Sequence, residues 1–207
     1  MKYIFTLLFA FLSIPAFASV TVTPVHLNIQ HGERSTFLQI QNPADHSATL
    51  DLRVFEWFGQ NADGEDLLEK TDNVILSRPV VIVPANSTTT VRLIVHKRSG
   101  KSEDSYRVLV DDITPNKQGI GMTLKVNSVL PFFILNTSNS SGVLEKVGQS
   151  EFKNTGDRHV RITYTFTSAS GDKIVRHRYL MPGQSIKLDS QNVDDIVWFD
   201  SVFLGAA

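Results

Sequence analysis

The chain contains the run Ile120-Gly121-Met122-Thr123-Leu124-Lys125-Val126-Asn127-Ser128-Val129-Leu130-Pro131-Phe132-Phe133-Ile134-Leu135. In its first half Ile120, Met122, Leu124 and Val126 alternate with Gly121, Thr123, Lys125 and Asn127, and from Val129 to Leu135 the run is apolar without a break. A period of two is that of a β-strand, whose successive side chains point to opposite faces. One strand thus has a two-faced half and a half buried on both sides. Two readings of the even-numbered row are open: it faces the domain's own core, or it is offered to another chain.

On its N-terminal side, short alternating runs recur at Val20 to Ile29, Ser35 to Gln41, Ala48 to Phe58, Val74 to Val83, Thr88 to His96 and Ser105 to Ile113. Turn signals such as Asn42-Pro43, Asp63-Gly64 and Pro84-Ala85-Asn86 separate them. With Ile120 to Leu135 this is the strand spacing of an immunoglobulin-like sandwich over residues 19–135. Trp57 sits late in the third run, where a sandwich tryptophan usually packs against a disulfide that this chain cannot form. Residues 136–142, Asn-Thr-Ser-Asn-Ser-Ser-Gly, are the most polar run and predict a linker. A second series follows over residues 143–207: Val143 to Val147, His159 to Thr167, Lys173 to Leu180, Ser185 to Leu188 and Ile196 to Leu204. The expectation is an all-β chain of two immunoglobulin-like β-sandwich domains in tandem, the second reduced.

The composition agrees. The 207 residues are 42% apolar and 20% charged with a formal net charge of −1, too apolar for intrinsic disorder and lacking the basic excess needed to track a phosphate backbone. No nucleic-acid partner is expected. Thirteen Phe with abundant Val, Ile and Thr favour pleated structure. At the start, Met1-Lys2, the apolar Tyr3 to Ile14 and the small-residue ending Pro15-Ala16-Phe17-Ala18 form a secretory signal peptide over residues 1–18, too short for the ~20 residues of a spanning helix. The expectation is export to a periplasm without membrane insertion. There is no cysteine, although that compartment permits disulfides, so stability rests on core packing.

Catalytic signatures are absent from the sequence. Thiol chemistry is excluded, and no Gly-X-Ser-X-Gly elbow, His-Glu-X-X-His pair or P-loop occurs. His26, His31, His46, His96, His159 and His177 show no ligand spacing, and the neighbours in Asp111-Asp112 and Asp194-Asp195 point to opposite faces of a strand. No catalytic residue, cofactor or metal is expected. A periplasmic hydrolase or carbohydrate-binding module remains an alternative, because sites assembled across a fold leave no local motif. Arg158, Arg161, Lys173, Arg176, His177 and Arg178 make the second domain locally basic, a pattern that fits a solvated face or a docking surface.

Four landmarks in order carry a family resemblance: Ser19-Val-Thr-Val-Thr-Pro-Val-His-Leu27, Arg78-Pro-Val-Val-Ile-Val-Pro84 with Thr90-Val-Arg-Leu-Ile94, Ser105-Tyr-Arg-Val-Leu-Val-Asp-Asp-Ile113, and Met122 to Leu135. Residues 19–135 resemble the periplasmic pilus (fimbrial) chaperones of the chaperone-usher pathway, PapD-like, and most resemble the archaic or alternative branch. The resemblance implies a non-enzymatic chaperone that binds and stabilises pilus subunits by donor-strand complementation and delivers them to an outer-membrane usher. It implies that Ile120, Met122, Leu124, Val126 and Leu130 form the subunit-binding row; whether the free protein covers that row by self-association is left open by the sequence. Many members also hold the client's C-terminal carboxylate with basic residues on the first and last strands. Here those places have His26 and the uncharged Ser128 to Phe133, so the candidate anchors are Arg107, which interrupts an apolar strand, then Arg92 and His26. A pilus structural subunit or adhesin of the same system is the alternative reading.

Overall fold

The structure is a computed structural model in which the described residues are 20–61, 63–115, 127–148, 150–168, 170–188 and, as backbone, 193–200. The first sandwich contains β1 (Thr21–Thr23), β2 (Leu27–Ile29), β3 (Ser35–Asn42), β4 (Ala48–Gln60), β5 (Asp66–Lys70), β6 (Val74–Leu76), β7 (Val80–Val83), β8 (Ser87–Val95), β9 (Glu103–Asp112) and β10 (Asn127–Leu135). One sheet has the order β1-β3-β8-β6; the other has the order β2-β10-β9-β4-β5, with β7 also pairing β4. The second sandwich contains β11 (Leu144–Lys146), β12 (Glu151–Asn154), β13 (Val160–Thr167), β14 (Lys173–Leu180), β15 (Ser185–Lys187) and β16 (Val193–Asp200). Its sheets are β11-β12-β15 and β14-β13-β16. Among the described residues there is no helix, so none long and apolar enough to cross a membrane.

The alternation that predicts the strands also fills the core. Leu38 and Ile40 of β3, Leu50 and Leu52 of β4, Val91 and Leu93 of β8, Val108 and Val110 of β9, and Leu130, Phe132 and Ile134 of β10 meet between the two larger sheets. Each such side chain contributes about 1.5–3 kcal/mol of burial. Asn42 closes one end: it is buried at the Asn42-Pro43 turn, its Nδ2 donating to the carbonyls of Val83 and Pro84 and its Oδ1 accepting from Ala44 N–H. Asn154 does the same in the second domain, donating to the carbonyls of Arg158 and Leu180. The second core is smaller, with Val160, Ile162 and Leu180 at its centre.

Three sequence expectations are corrected. Val20 to Ile29 is not one strand: β1 pairs with β3 in one sheet and β2 pairs in parallel with β10 in the other. Pro24 lies at the switch, where its missing N–H interrupts a ladder. Val74 to Val83 divides in the same way at Arg78-Pro79, β6 joining β8 and β7 joining β4. Trp57 is not a core tryptophan; it lies on the outer face of β4, where the second domain covers it. Strands β5 and β12, short and rich in charge, were not marked by alternation.

Candidate functional site

Strand β10 has unequal edges. Along one it pairs antiparallel with β9 from Asn127 to Leu135; along the other it meets β2 only at Phe132 to Ile134. Residues 127–131 therefore present an edge with no partner strand among the described residues, and alternate backbone groups there are free to pair. The strand also separates its side chains cleanly. Leu130, Phe132 and Ile134 enter the sandwich core, while Val129, half exposed, and Phe133 take the opposite face.

That opposite face forms one wall of a cleft between the domains. Cross-strand register lines up Phe133 with Ser105, Pro131 with Arg107 and then Phe55, and Val129 with Leu109 and then Arg53. Nearest the second domain, Trp57, Phe133 and Met181 form a buried cluster with Leu68 and Tyr179 against it. Tyr179 meets the Trp57 ring edge-on at 5.3 Å. The Arg107 guanidinium lies over the Trp57 ring, 3.5 Å from its centroid, and is almost fully buried. A cation so placed needs an anion, and Asp66 of β5 supplies it: Nη2 donates to Oδ1 at 3.0 Å, and Nε lies 2.9 Å from Oδ2 without hydrogen-bond alignment. The cleft also contains buried donors with no acceptor, Trp57 Nε1 and Arg161 Nε. Further along, Arg53 is clasped between Asp51 and Asp111.

A buried ionic joint fixes the two domains to each other. Glu103 of β9 accepts the backbone N–H of His159 at 2.9 Å, and its two oxygens lie 2.8 and 2.9 Å from the ring Nδ1. Because a carboxylate only accepts, Nδ1 carries the proton. Arg158 Nε adds an ion pair at 3.6 Å. The His159 ring then stacks on Phe133, centroids 3.4 Å apart and planes 9° from parallel. Gln184 supplies a further tie, its Nε2 donating to the Phe58 carbonyl at 2.7 Å.

Of the residues singled out from the sequence, Ile120, Met122, Leu124 and Val126 lie outside the described residues, as do residues 1–19. Leu130 is buried in its own domain's core. Arg107 and His26 both reach the domain junction. His26 lies 5.4 Å from the Phe133 ring and 6.3 Å from that of His159; burial first, then the positive charges of His159 and Arg161, holds its pKa down at about 4. It is neutral at physiological pH. Arg92 is elsewhere: its neighbours Val91 and Leu93 point into the core from β8, so Arg92 projects from the far face of the other sheet, opposite to Arg107. Asp66, Glu103 and Tyr179 of this region escaped the sequence reading, because their partners are remote in sequence, and Arg161 was legible only as one member of a basic group. Among the described residues no group of three or more His, Asp or Glu is placed to hold a metal ion.

The geometry has close relatives. The family described as pili and flagellar-assembly chaperone, PapD N-terminal domain, matches residues 19–136, more than half of the chain, and the protein belongs to that family. Among solved structures, the CsuC–CsuE chaperone-tip adhesion subunit pre-assembly complex from the archaic Csu pili of Acinetobacter baumannii matches with a TM-score of 0.64 at 22% identity, over 89% of this chain and 94% of that one. The periplasmic chaperone SfaE matches with a TM-score of 0.64 at 14% identity, over 91% and 95%. The Salmonella enterica SafA pilin complex with the SafB chaperone matches at 0.61 and 13%, over 89% and 90%. These likenesses show the two-sandwich fold. No curated protein sequence matches.

Proposed function

We propose that the protein is a periplasmic chaperone that lends β10 and the segment before it to pilus subunits. The observation that carries this reading is the uneven pairing of β10, closed on one edge by β9 and open on the other over residues 127–131. A strand added to that edge gains a backbone ladder, and alternate side chains set its register. On an extended strand, Ile120, Met122, Leu124 and Val126 share the parity of Leu130, Phe132 and Ile134, the row that fills this domain's interior. The same row extended past the domain's end would fill the open interior of a client. Leu130 is then the last residue of the row to serve its own core. Each of the four contributes about 1.5–3 kcal/mol of gross burial.

Membership of a chaperone family supports the reading, as do fold relatives solved with a tip adhesion subunit and with a pilin. Arg107 is the anchor for the client's terminal carboxylate in this proposal, since it faces the cleft beside unsatisfied donors; Arg92 points the other way. Delivery to an outer-membrane usher, a periplasmic location and the absence of catalysis follow from the same reading.

The test is co-production with candidate pilus subunits from the same organism. The wild-type chain protects the subunit from proteolysis, and Leu124→Asp stays folded and does not. Equal protection by both overturns the assignment. Self-polymerisation without a separate client would favour a structural pilus subunit instead.

A further inference from the structure

A second cleft, open to solvent and about 430 Å³ in volume, lies between the β4–β5 turn of the first domain and strands β13 and β14 of the second. Gln60 and Asp63 form one wall; Tyr164, Phe166, Arg176 and Arg178 form the other. Register places Arg176 beside Tyr164 and Arg178 beside Ile162, so both arginines continue the row whose next members, Ile162 and Leu180, build the second core. Arg176 is exposed and Arg178 partly buried, so their guanidinium donors face the open cleft and are available to a ligand's acceptors. Arg178 has one neutral acceptor, Gln60 Oε1, at 3.5 Å, and Arg176 has no hydrogen bond or ion pair among the described residues. Asp63 forms no ion pair with either among the described residues. Gly64, at φ +88°, makes room for Arg178, whose guanidinium lies where a Cβ would be.

We propose that this cleft binds an acidic, extended peptide segment of a partner protein, with carboxylates on alternate residues pairing with Arg176 and Arg178. Residues two apart on a strand repeat at about 6.6–6.8 Å, so the two arginines match alternate residues of an extended ligand. The planar guanidinium takes a carboxylate through two parallel hydrogen bonds. Tyr164 and Phe166 give the acidic side chains an apolar floor for their methylene stems. The cleft is separate from the open edge of β10, and the proposal stands whether or not that strand is lent to a client.

The probe is the acetylated, amidated peptide Glu-Thr-Glu-Thr-Glu, titrated into the full chain and followed by NMR of the arginine Nε–H groups. Saturable binding is expected, shifting Arg176 and Arg178, weakening with added salt, and falling at least tenfold in Arg176→Gln and in Arg178→Gln. Arg92→Gln, on the remote face of the first domain, leaves it unchanged. The peptide with Gln in place of Glu does not bind. Failure to saturate, an equal loss in Arg92→Gln, or binding of inorganic phosphate without binding of the peptide overturns the proposal. Arg176 is exposed, so its replacement leaves the fold intact, which unchanged thermal melting verifies.

Discussion

The Glu103 carboxylate on β9 accepts both the backbone N–H and the ring Nδ1–H of His159, the residue just before β13, with both side chains about 1% exposed. These bonds cross the domain junction, so the orientation of the cleft depends on a buried charge whose hydrogen bonds come from the other domain. Breaking a buried ionic contact from one side leaves its partner groups unpaired and costs about 3–5 kcal/mol. Glu103→Ala is therefore expected to lower unfolding free energy by about that amount in urea titration at neutral pH. Glu103→Gln, which keeps one acceptor for the His159 N–H, should lose less. Equal stability of Glu103→Ala and wild type would show that the joint is not what holds the domains.

Arg107 presents a different balance, because its anion comes from within the chain. Asp66 occupies the guanidinium that the proposed client carboxylate needs, so the two carboxylates compete for one cation. Client affinity is expected to fall about tenfold in Arg107→Gln, or about 1.4 kcal/mol, and to rise severalfold in Asp66→Asn. Binding of a purified subunit in calorimetry measures both. A fall in both variants would make Arg107–Asp66 a purely structural pair.

His26 ties stability to pH. Its pKa is about 4 in the folded protein and near 6.5 when unfolded, so between these values the unfolded chain takes up the proton and the folded one resists it. The stabilisation from keeping His26 neutral is present above about pH 6.5 and is lost as pH falls toward 4, at up to about 1.4 kcal/mol per pH unit. Urea midpoints of wild type and His26→Leu should converge as pH falls through this window if the variant is the less stable at pH 7, and diverge if it is the more stable. A constant difference between them would mean that His26 does not titrate.

Leu38, Ile40, Val91 and Leu93 could be placed in the core from the sequence, because alternation is a local signal and one buried face makes register unambiguous. Pro24 and Pro79 were visible too, but which sheet the chain enters after each depends on pairing with β10 and β4, far away in sequence. The same limit governs the site. Arg107 stood out as a charge in an apolar strand, yet its partner Asp66 is 41 residues away on a strand with no periodic signature. Glu103 and His159 are 56 residues apart, and neither lies in a motif. Trp57 was misplaced because sandwich spacing suggests a core role, whereas the second domain supplies its cover.

Gly59 shows how closely the second domain is fitted to the first. It has φ +93° at the irregularity in the β4–β5 pairing, and a Cβ there would overlap the side-chain amide of Gln184. That amide also donates to the Phe58 carbonyl and accepts from Met181 N–H. Gly59→Ala combines two costs, a left-handed backbone at a non-glycine residue, about 1–2 kcal/mol, and displacement of the Gln184 contacts. Gln184→Ala removes the obstruction and leaves the backbone cost alone. In a double-mutant cycle read by thermal or urea unfolding, the pair is therefore expected to lose less than the sum of the single losses, with a coupling of about 1 kcal/mol. Additive losses would show that Gly59 serves only its own turn and that the domains do not meet there.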